Sequence, residues 1–156
     1  MRLNRLQTIT VILIALLGAG LAALSFIGQL AIILLLSVIM AAFWCAIVVF
    51  GKPDLHLAFF IVFLAMLGIA ILDQLPFVWL ALLVILDIAA WNLGEFSQRA
   101  LRYKHIPNQK RMENLHMKQL AVPLGIGFAL AMLPSLIRVE LPFVVMAVLV
   151  VGAVVL

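Results

Sequence analysis

Long runs of apolar residues dominate the pattern along this chain. No Asp, Glu, Lys or Arg occurs between Thr8 and Phe50, and this run is about twice as long as the roughly 20 residues that one membrane-spanning helix needs. Further apolar runs follow, each ended by polar residues or helix breakers. The pattern predicts an all-α integral membrane protein with six transmembrane helices. The predicted spans cover residues 8–27, 29–50, 55–72, 76–93, 119–137 and 141–156.

Turn-forming residues separate these spans. Gly28 and Gln29 divide the first two, and the GKPD segment at 51–54 ends the second because Gly and Pro together stop a helix. Residues 73–75 turn the chain again. Pro76 suits the first turn of the fourth helix, because the N–H group that it lacks would have no partner within the helix there. The six spans therefore pair into three hairpins that each cross the membrane and return.

The basic residues orient these hairpins. Nine of the ten Lys and Arg residues fall at one end of the predicted helices, and only Arg138 falls at the other. By the positive-inside rule the basic end faces the cytoplasm, which predicts a bacterial inner-membrane protein with both termini cytoplasmic. Trp44, Trp79 and Trp91 lie toward helix ends, where interfacial anchors occur.

Composition agrees with a membrane protein and excludes several kinds of site. The chain is 68% hydrophobic and 10% charged, whereas soluble domains carry about 25% charged residues. The apolar stretch after the basic start MRLNRLQT is too long for a signal peptide, so we expect a retained first helix. Cys45 is the single cysteine, which excludes an intrachain disulfide or a zinc site built from cysteines, and we expect it to pack in the apolar interior.

Two short sequence words occur twice. LAML at 64–67 and LPFV at 75–78 recur with the same spacing at 130–133 and 141–144. GQLAI at 28–32 matches DQLPF at 73–77 and VELPF at 139–143 more faintly. One interpretation is duplication of a helical hairpin, which would give parallel repeats about an axis along the membrane normal. The other is that such words simply suit the turn opposite the basic end.

Small residues predict where helices approach each other, because lipid supplies no hydrophobic drive between them. They cluster on the first and fifth predicted helices, facing either another helix of this chain or a second subunit. These residues are Ala15, Gly18, Ala19, Ala22, Ala23, Gly125, Gly127, Ala129 and Ala131.

The longest polar stretch, residues 94–118, predicts a cytoplasmic helical hairpin that turns at Ile106 and Pro107. Its positive charge either fixes topology and contacts anionic headgroups, at about 1 kcal/mol per basic residue, or docks an acidic protein partner. His105 and His116 flank the turn without a nearby pair of carboxylates, so we expect no metal. The basic residues are Arg99, Arg102, Lys104, Lys110, Arg111 and Lys118.

Two words in this region carry a resemblance to a known family. AAWNLGEFSQRALR at 89–102 and KRMENLHMKQL at 110–120 resemble segments of uncharacterised small multi-span bacterial membrane proteins. Those proteins are encoded near MoxR-type ATPases and von Willebrand-type proteins. The resemblance implies a membrane context with such neighbours, and it implies no activity.

Asp87 is the one acid deep within a predicted span. It lies eleven residues after Pro76, which is about 16 Å along a helix and near the middle of the bilayer. An ionised Asp at that depth costs at least about 2.5 kcal/mol, so such residues are functional candidates. Trp91 and Glu95 follow at helical spacing on the same face, and Asn92 lies nearby.

Two roles for Asp87 fit this position. It is either a proton or cation site in a small transporter, or a neutral carboxyl bonded to Ser37, Trp91 or a backbone carbonyl. The chain has no HExxH, GxSxG or phosphate-binding loop, so we expect no enzyme and no cofactor. The sequence predicts a non-catalytic scaffold or complex subunit that binds lipids and a protein partner but no nucleic acid. The alternative is a proton- or cation-coupled transporter using Asp87.

Overall fold

The computed structural model of the chain describes residues 4–51, 55–102 and 109–137. Every secondary-structure element within these ranges is a helix, which confirms the all-α prediction for this part of the chain. The predicted sixth span, residues 141–156, lies outside it. The five helices are α1 (Arg5–Ile27), α2 (Ala31–Phe50), α3 (His56–Leu72), α4 (Phe77–Arg102) and α5 (Gln109–Ile137).

Four of these helices contain a segment long and apolar enough to cross a membrane. The segments are Arg5–Ile27, Ala31–Phe50, Phe77–Ala100 and Arg111–Leu133. The remaining helix, α3, is apolar but has only 17 residues, at the lower limit of about 17 to 25 residues for a spanning helix.

The first helix begins earlier than the sequence predicts. Its start at Arg5 precedes the expected Thr8 because Asn4 caps it. The Asn4 side chain accepts hydrogen bonds from the backbone N–H groups of Leu6 and Gln7, and the Gln7 side chain accepts one from the Asn4 N–H at 3.0 Å. This reciprocal capping box satisfies N–H groups that a helix start otherwise leaves unpaired.

The turns after α1 and α3 have the same backbone structure. Gln29 and Gln74 both adopt left-handed conformations, with φ of 57° and 59°. The next residue in each turn donates its N–H to a carbonyl five residues earlier, Leu30 to Ser25 at 2.8 Å and Leu75 to Ala70 at 3.2 Å. These are the bonds of a Schellman-type helix end, so the faint match between GQL and DQL corresponds to one shared turn.

The fourth helix begins directly after Pro76. The Pro76 carbonyl accepts the first helical bonds, from the N–H groups of Trp79 at 3.1 Å and Leu80 at 3.3 Å. The LPFV word at 75–78 therefore starts a helix, as predicted. Its second copy, at 141–144, lies outside the described residues, so the duplication stays a prediction.

Helix α4 is central to the packing, because it contacts α1, α3 and α5, while α1 also packs against α2. Gly18 lets α1 approach α2, since a methyl group there would overlap Ala41. Leu83 of α4 packs in the same way against Gly20 of α1. The apolar core between these helices includes Ile14, Leu17, Leu21, Phe63, Leu67 and Leu80.

The fourth and fifth helices continue past the predicted span limits. Helix α4 reaches Arg102, beyond residue 93, and α5 begins at Gln109, well before residue 119. Both arms of the expected hairpin are therefore helical where the structure describes them. The predicted turn at Ile106 and Pro107 lies outside the described residues.

Candidate functional site

Asp87 lies in the interior of the helical bundle. Its side chain is 0% exposed, and neither carboxyl oxygen has a hydrogen-bond partner among the described residues. An ionised carboxylate without a partner is strongly disfavoured in an apolar interior. Burial among the described residues therefore favours the neutral carboxylic acid over the carboxylate.

The position of Asp87 on α4 directs it toward α1. Leu83, Asp87 and Gly94 recur at spacings of four and seven residues and lie on one face of the helix. Leu83 packs on Gly20 of α1, and a Cβ atom at Gly94 would lie 3.5 Å from the Thr10 side chain of α1. Asp87 is thus placed between two contacts that join the same pair of helices.

The structure does not bring the expected partners to Asp87. The Ser37 hydroxyl donates to the Leu34 carbonyl of its own helix at 2.9 Å. Trp91 stacks on Phe60, with ring centroids 4.9 Å apart.

The two polar residues expected near Asp87 also face other groups. Glu95 accepts from the Arg99 guanidinium at 2.7 Å in a solvent-exposed pair. Asn92 contacts His116, with Asn92 Oδ1 2.7 Å from His116 Nε2. Trp91, Asn92 and Glu95 therefore each contact a different group, although their spacing predicted a shared site with Asp87.

A second group of polar residues is buried at the end of the bundle where α1 begins and α4 ends. No motif in the sequence predicts this group. The Gln7 side chain donates to the Val48 carbonyl at 3.3 Å, which joins α1 to α2. We call this group the basic-end cluster: Gln7, Thr10, Trp44, His56, Ser97 and Gln98.

The hydrogen bond between Trp44 and His56 links α2 to α3. Trp44 is 0% exposed, and its indole Nε1 lies 2.9 Å from His56 Nδ1. The interpretation of Trp44 as an interfacial anchor is therefore wrong, because its ring is enclosed by the bundle. Trp79, at 56% exposed, remains compatible with that role.

This bond also fixes the tautomer of His56. An indole N–H can only donate, so His56 Nδ1 must accept, and the proton of the neutral ring resides on Nε2. Nε2 is then a hydrogen-bond donor without a lone pair for a metal. No group of three or more His, Cys, Asp or Glu side chains in the described ranges is arranged to hold a metal ion.

Gly94 makes room for the His56 ring. A Cβ atom at Gly94 would lie 3.1 Å from both Cε1 and Nδ1 of His56, closer than ordinary van der Waals contact. The glycine in the WNLGEF segment therefore lets α3 pack its histidine against the backbone of α4. The sequence signal was a glycine within a helical pattern, which often marks such a close approach.

Three polar atoms of the basic-end cluster have no hydrogen-bond partner among the described residues. They are His56 Nε2, Ser97 Oγ and Gln98 Nε2. Each belongs to a side chain that is at least nine-tenths buried. An unsatisfied buried polar group destabilises a fold by about 1–3 kcal/mol, so these three atoms are candidates for binding a ligand or water.

Helices α4 and α5 are joined beside this cluster. The rings of Phe96 and His116 stack with centroids 3.9 Å apart and an interplanar angle of 9°. Together with the Asn92 bond, this contact holds His116 between two residues one turn apart on α4. Arg5 of α1 also donates to Asn114 of α5 at 3.5 Å.

The predicted basic residues are exposed where their side chains are described. Arg99, Arg111 and Lys118 all face outward. The side chains of Arg102 and Lys110, and the whole of Lys104, lie outside the described part. Cys45 is half-buried, with its sulfur 3.8 Å from the Val11 carbonyl.

The small residues predicted to form packing seams have different environments. Gly18 is buried against α2, while Ala22, Gly127 and Ala131 are half-buried. No described atom lies within 4 Å of a Cβ placed on Gly125 or Gly127. Whether the outward-facing positions meet a second subunit stays a prediction. Those exposed positions are Ala15, Ala19, Ala23, Gly125 and Ala129.

These features define an α-helical protein with multiple helices suited to a membrane, a buried acid at mid-helix and a buried polar cluster at one end. Comparison with known protein families, with curated proteins and with solved structures finds no match to this chain.

Proposed function

We propose that this chain is a non-catalytic, multi-pass membrane protein that acts as a scaffold or subunit of a membrane complex. In this proposal six spans form three hairpins in a bacterial inner membrane, with both termini and residues 94–118 in the cytoplasm. The positive-inside rule supports this orientation, because the basic residues collect at one end. Its partners are anionic lipids and a protein, and it needs no cofactor.

The observation that carries the proposal is the fixed attachment of α5 to α4 beside exposed basic residues. His116 is stacked on Phe96 and bonded to Asn92, which sets the two helical arms against each other. Arg111 and Lys118 project from α5 on either side of His116 along the sequence, and both are exposed. A fixed helix pair with outward-facing charge suits the recognition of an acidic surface.

Neutralising this surface tests the proposal. The variant R111Q/K118Q should lose a copurifying acidic partner while the chain remains inserted in the membrane. The matched control R111K/K118R keeps both charges and should retain the partner. Equal recovery of the partner with both variants would exclude a docking role for the charge.

The same pair of variants separates protein docking from a role in topology. Reporter fusions at the C-terminus should report a cytoplasmic location for both. If R111Q/K118Q inverts the reporter signal, the charges fix orientation and do not recruit a partner. The resemblance to proteins encoded near MoxR-type ATPases makes such an ATPase the first partner to test by coexpression.

A second candidate function is proton- or cation-coupled transport through Asp87. The supporting observation is that this side chain is completely buried and has no bonded partner for either oxygen among the described residues. A carboxyl retained inside a membrane protein without a structural bond is a functional candidate.

The substitution Asp87→Asn tests transport directly. Asn has nearly the same shape but cannot exchange a proton, so coupled flux into proteoliposomes should fall to background while helical content stays unchanged. Ser37→Ala is the control, because it removes another buried polar side chain, one that is bonded only within its own helix, and it should leave flux unchanged. Unchanged flux in Asp87→Asn would reject the transporter.

A further inference from the structure

We propose that one exposed face of α5 binds an acidic amphipathic helix of a partner protein, with Met112 and Leu115 as its apolar anchors and Arg111 and Lys118 as its charged contacts. We call these four residues the α5 docking face. The inference rests on the proposed docking function and deepens it, because it states the chemistry of the partner. It predicts that apolar contact contributes more to binding than charge does.

Helical spacing places these four residues on one side of α5. Arg111, Leu115 and Lys118 follow one another at intervals of four and three residues, and Met112 precedes Leu115 by three. Residues at these intervals are neighbours on a helix surface. All four are exposed, Met112 at 44% and Leu115 at 51%. The docking face therefore presents two apolar side chains beside two positive charges.

The other side of α5 already has contacts, and they hold the docking face outward. His116 is stacked on Phe96 and bonded to Asn92 of α4. Glu113, the one acid in α5, lies on this inner side with Met117, and both are half-buried. The helix cannot rotate without breaking these contacts. The docking face thus stays exposed and contains no negative charge.

Part of the docking face extends past the lipid headgroups in the proposed topology. Residues 119–137 cross the hydrocarbon core there, and α5 continues before them as the same helix. With a rise of 1.5 Å per residue, Met112 and Arg111 lie about 10 and 12 Å outside the core. The headgroup layer on each side of a bilayer is about 5–8 Å thick. Lipid therefore reaches Leu115 but leaves Met112 in water.

Exposed apolar side chains are not general at this end of the helix pair. Within residues 94–100 of α4, no large apolar side chain is exposed, and Phe96 is covered by the His116 ring. Met112 and Leu115 are both exposed, one turn apart on the same face of α5. An apolar patch rimmed by polar groups typically marks an interaction site.

Two other occupants fit this face less well. A second copy, related by an axis along the membrane normal, would set Arg111 and Lys118 against the same residues of its partner, and like charges repel. Residues 141–156, if they return along α5 as a helix, extend about 24 Å. Leu115 lies about 33 Å from Ile137, where α5 ends, so this segment does not reach it.

Charge complementarity identifies the partner. Carboxylates bordering the apolar stripe of a docked helix would pair with Arg111 and Lys118, and an Arg guanidinium suits a carboxylate geometrically. Leucine-like anchors at helical spacing would pack on Leu115, while the flexible Met112 side chain adapts to their shape. The complementary segment is therefore a helix with one apolar stripe flanked by Asp or Glu.

Binding of a defined peptide to the full chain in nanodiscs of neutral phosphatidylcholine tests the inference. The probe is a fluorescent three-heptad peptide with Leu at positions a and d and Glu at positions e and g. A peptide of the same composition with shuffled leucines is its control. Fluorescence anisotropy should show that the wild type binds the probe and not the shuffled peptide, and empty nanodiscs should bind neither.

Variants of the docking face should weaken probe binding to different extents. M112Q/L115Q should raise the Kd about a hundredfold, because each anchor is about half-exposed and its burial improves affinity roughly tenfold. R111Q/K118Q should raise the Kd about tenfold at low salt and remove most of the salt dependence. Leu55→Gln is the matched control, since it removes a leucine of similar exposure, 45%, from the same end of the bundle. It should leave the Kd unchanged.

Three results would overturn the inference. The first is wild-type affinity in M112Q/L115Q, or equal binding of the shuffled peptide. The other two use Leu115→Cys in a Cys45→Ser background. Blue-shifted emission of a dye on this cysteine in phosphatidylglycerol nanodiscs without the probe would show that lipid covers the face. A disulfide-linked dimer in vesicles would show that a second copy does.

The partner that copurifies with the chain separates this inference from the proposed function. Loss of that partner with R111Q/K118Q and its full retention with M112Q/L115Q would overturn the apolar anchors and leave the proposed function standing. Loss with both variants would support both. Retention with both would reject the docking function itself.

Discussion

The two ends of the bundle are stabilised by different groups. At the turn end, Gln29 and Gln74 lie in the turns that link α1 to α2 and α3 to α4, and these turns are closed by backbone hydrogen bonds. At the basic end, side chains from four helices make the contacts, with Trp44 bonded to His56 as the central pair. The polar groups of the turn backbones are paired with each other through hydrogen bonds. In the basic-end cluster, by contrast, three buried polar atoms have no partner among the described residues. Most of the buried polar side chains in the described ranges therefore lie at the basic end.

The largest expected effect comes from breaking the central pair of the basic end. Trp44→Phe removes the donor to His56 Nδ1 and leaves a space in a fully buried position. We expect a loss of about 3 kcal/mol in the free energy of unfolding, measured by denaturation in mixed micelles. Trp91→Phe is the control, because it retains a ring against Phe60 and should change stability by less than half as much.

A smaller effect should follow from adding a methyl group on α4. Gly94→Ala places a Cβ atom 3.1 Å from a histidine that Trp44 holds in place, so we expect a loss of about 1 kcal/mol despite the better helix propensity of Ala. By contrast, a Cβ atom placed at Gly68 in α3 has no described atom within 4 Å.

The Gly68→Ala control should therefore stabilise the protein, by up to about 1 kcal/mol, because only the propensity term remains. Thermal unfolding in detergent measures both variants. Equal shifts of the two midpoints would show that His56 does not rest on the Gly94 backbone.

The smallest effects should occur at the turn end. Gln29→Gly and Gln74→Gly each relieve a left-handed conformation that is strained for a residue with a side chain, and each should stabilise the protein by about 0.5–1 kcal/mol. Gln29→Ala keeps the strain and should not stabilise. Similar gains at both positions would confirm that the two turns are energetically equivalent, and a gain at only one would contradict it.

Much of the fold could be predicted because apolar runs and breakers act locally. The end of α1 at Ile27, the end of α3 at Leu72 and the helix start after Pro76 all agree with the sequence. The apolar pattern places the start of α1 too late, because it does not reveal that Asn4 caps the helix. Runs of apolar residues define spans well, but they do not show where a polar cap extends a helix.

The candidate site was only partly predictable. The interior position of Asp87 followed from its spacing to Pro76, and the structure finds it fully buried. The basic-end cluster was missed because its members come from separate helices, and a sequence does not show which helix faces meet. Trp44 illustrates this limit, since its place near a helix end suggested lipid contact while its ring is bonded to a histidine of the next helix.

If α3 spans the bilayer, as in the proposed six-span topology, its short length has a consequence for the surrounding membrane. Its 17 residues extend about 25 Å, several ångströms less than the roughly 30 Å hydrocarbon core of a typical bilayer. Tilting shortens the reach of a helix further, so lipid beside α3 must thin or its flanking residues must extend to the headgroups. Helix α4, with 26 residues, imposes no such demand. The protein should therefore distort the bilayer unequally around its perimeter and be most stable in lipids with short acyl chains.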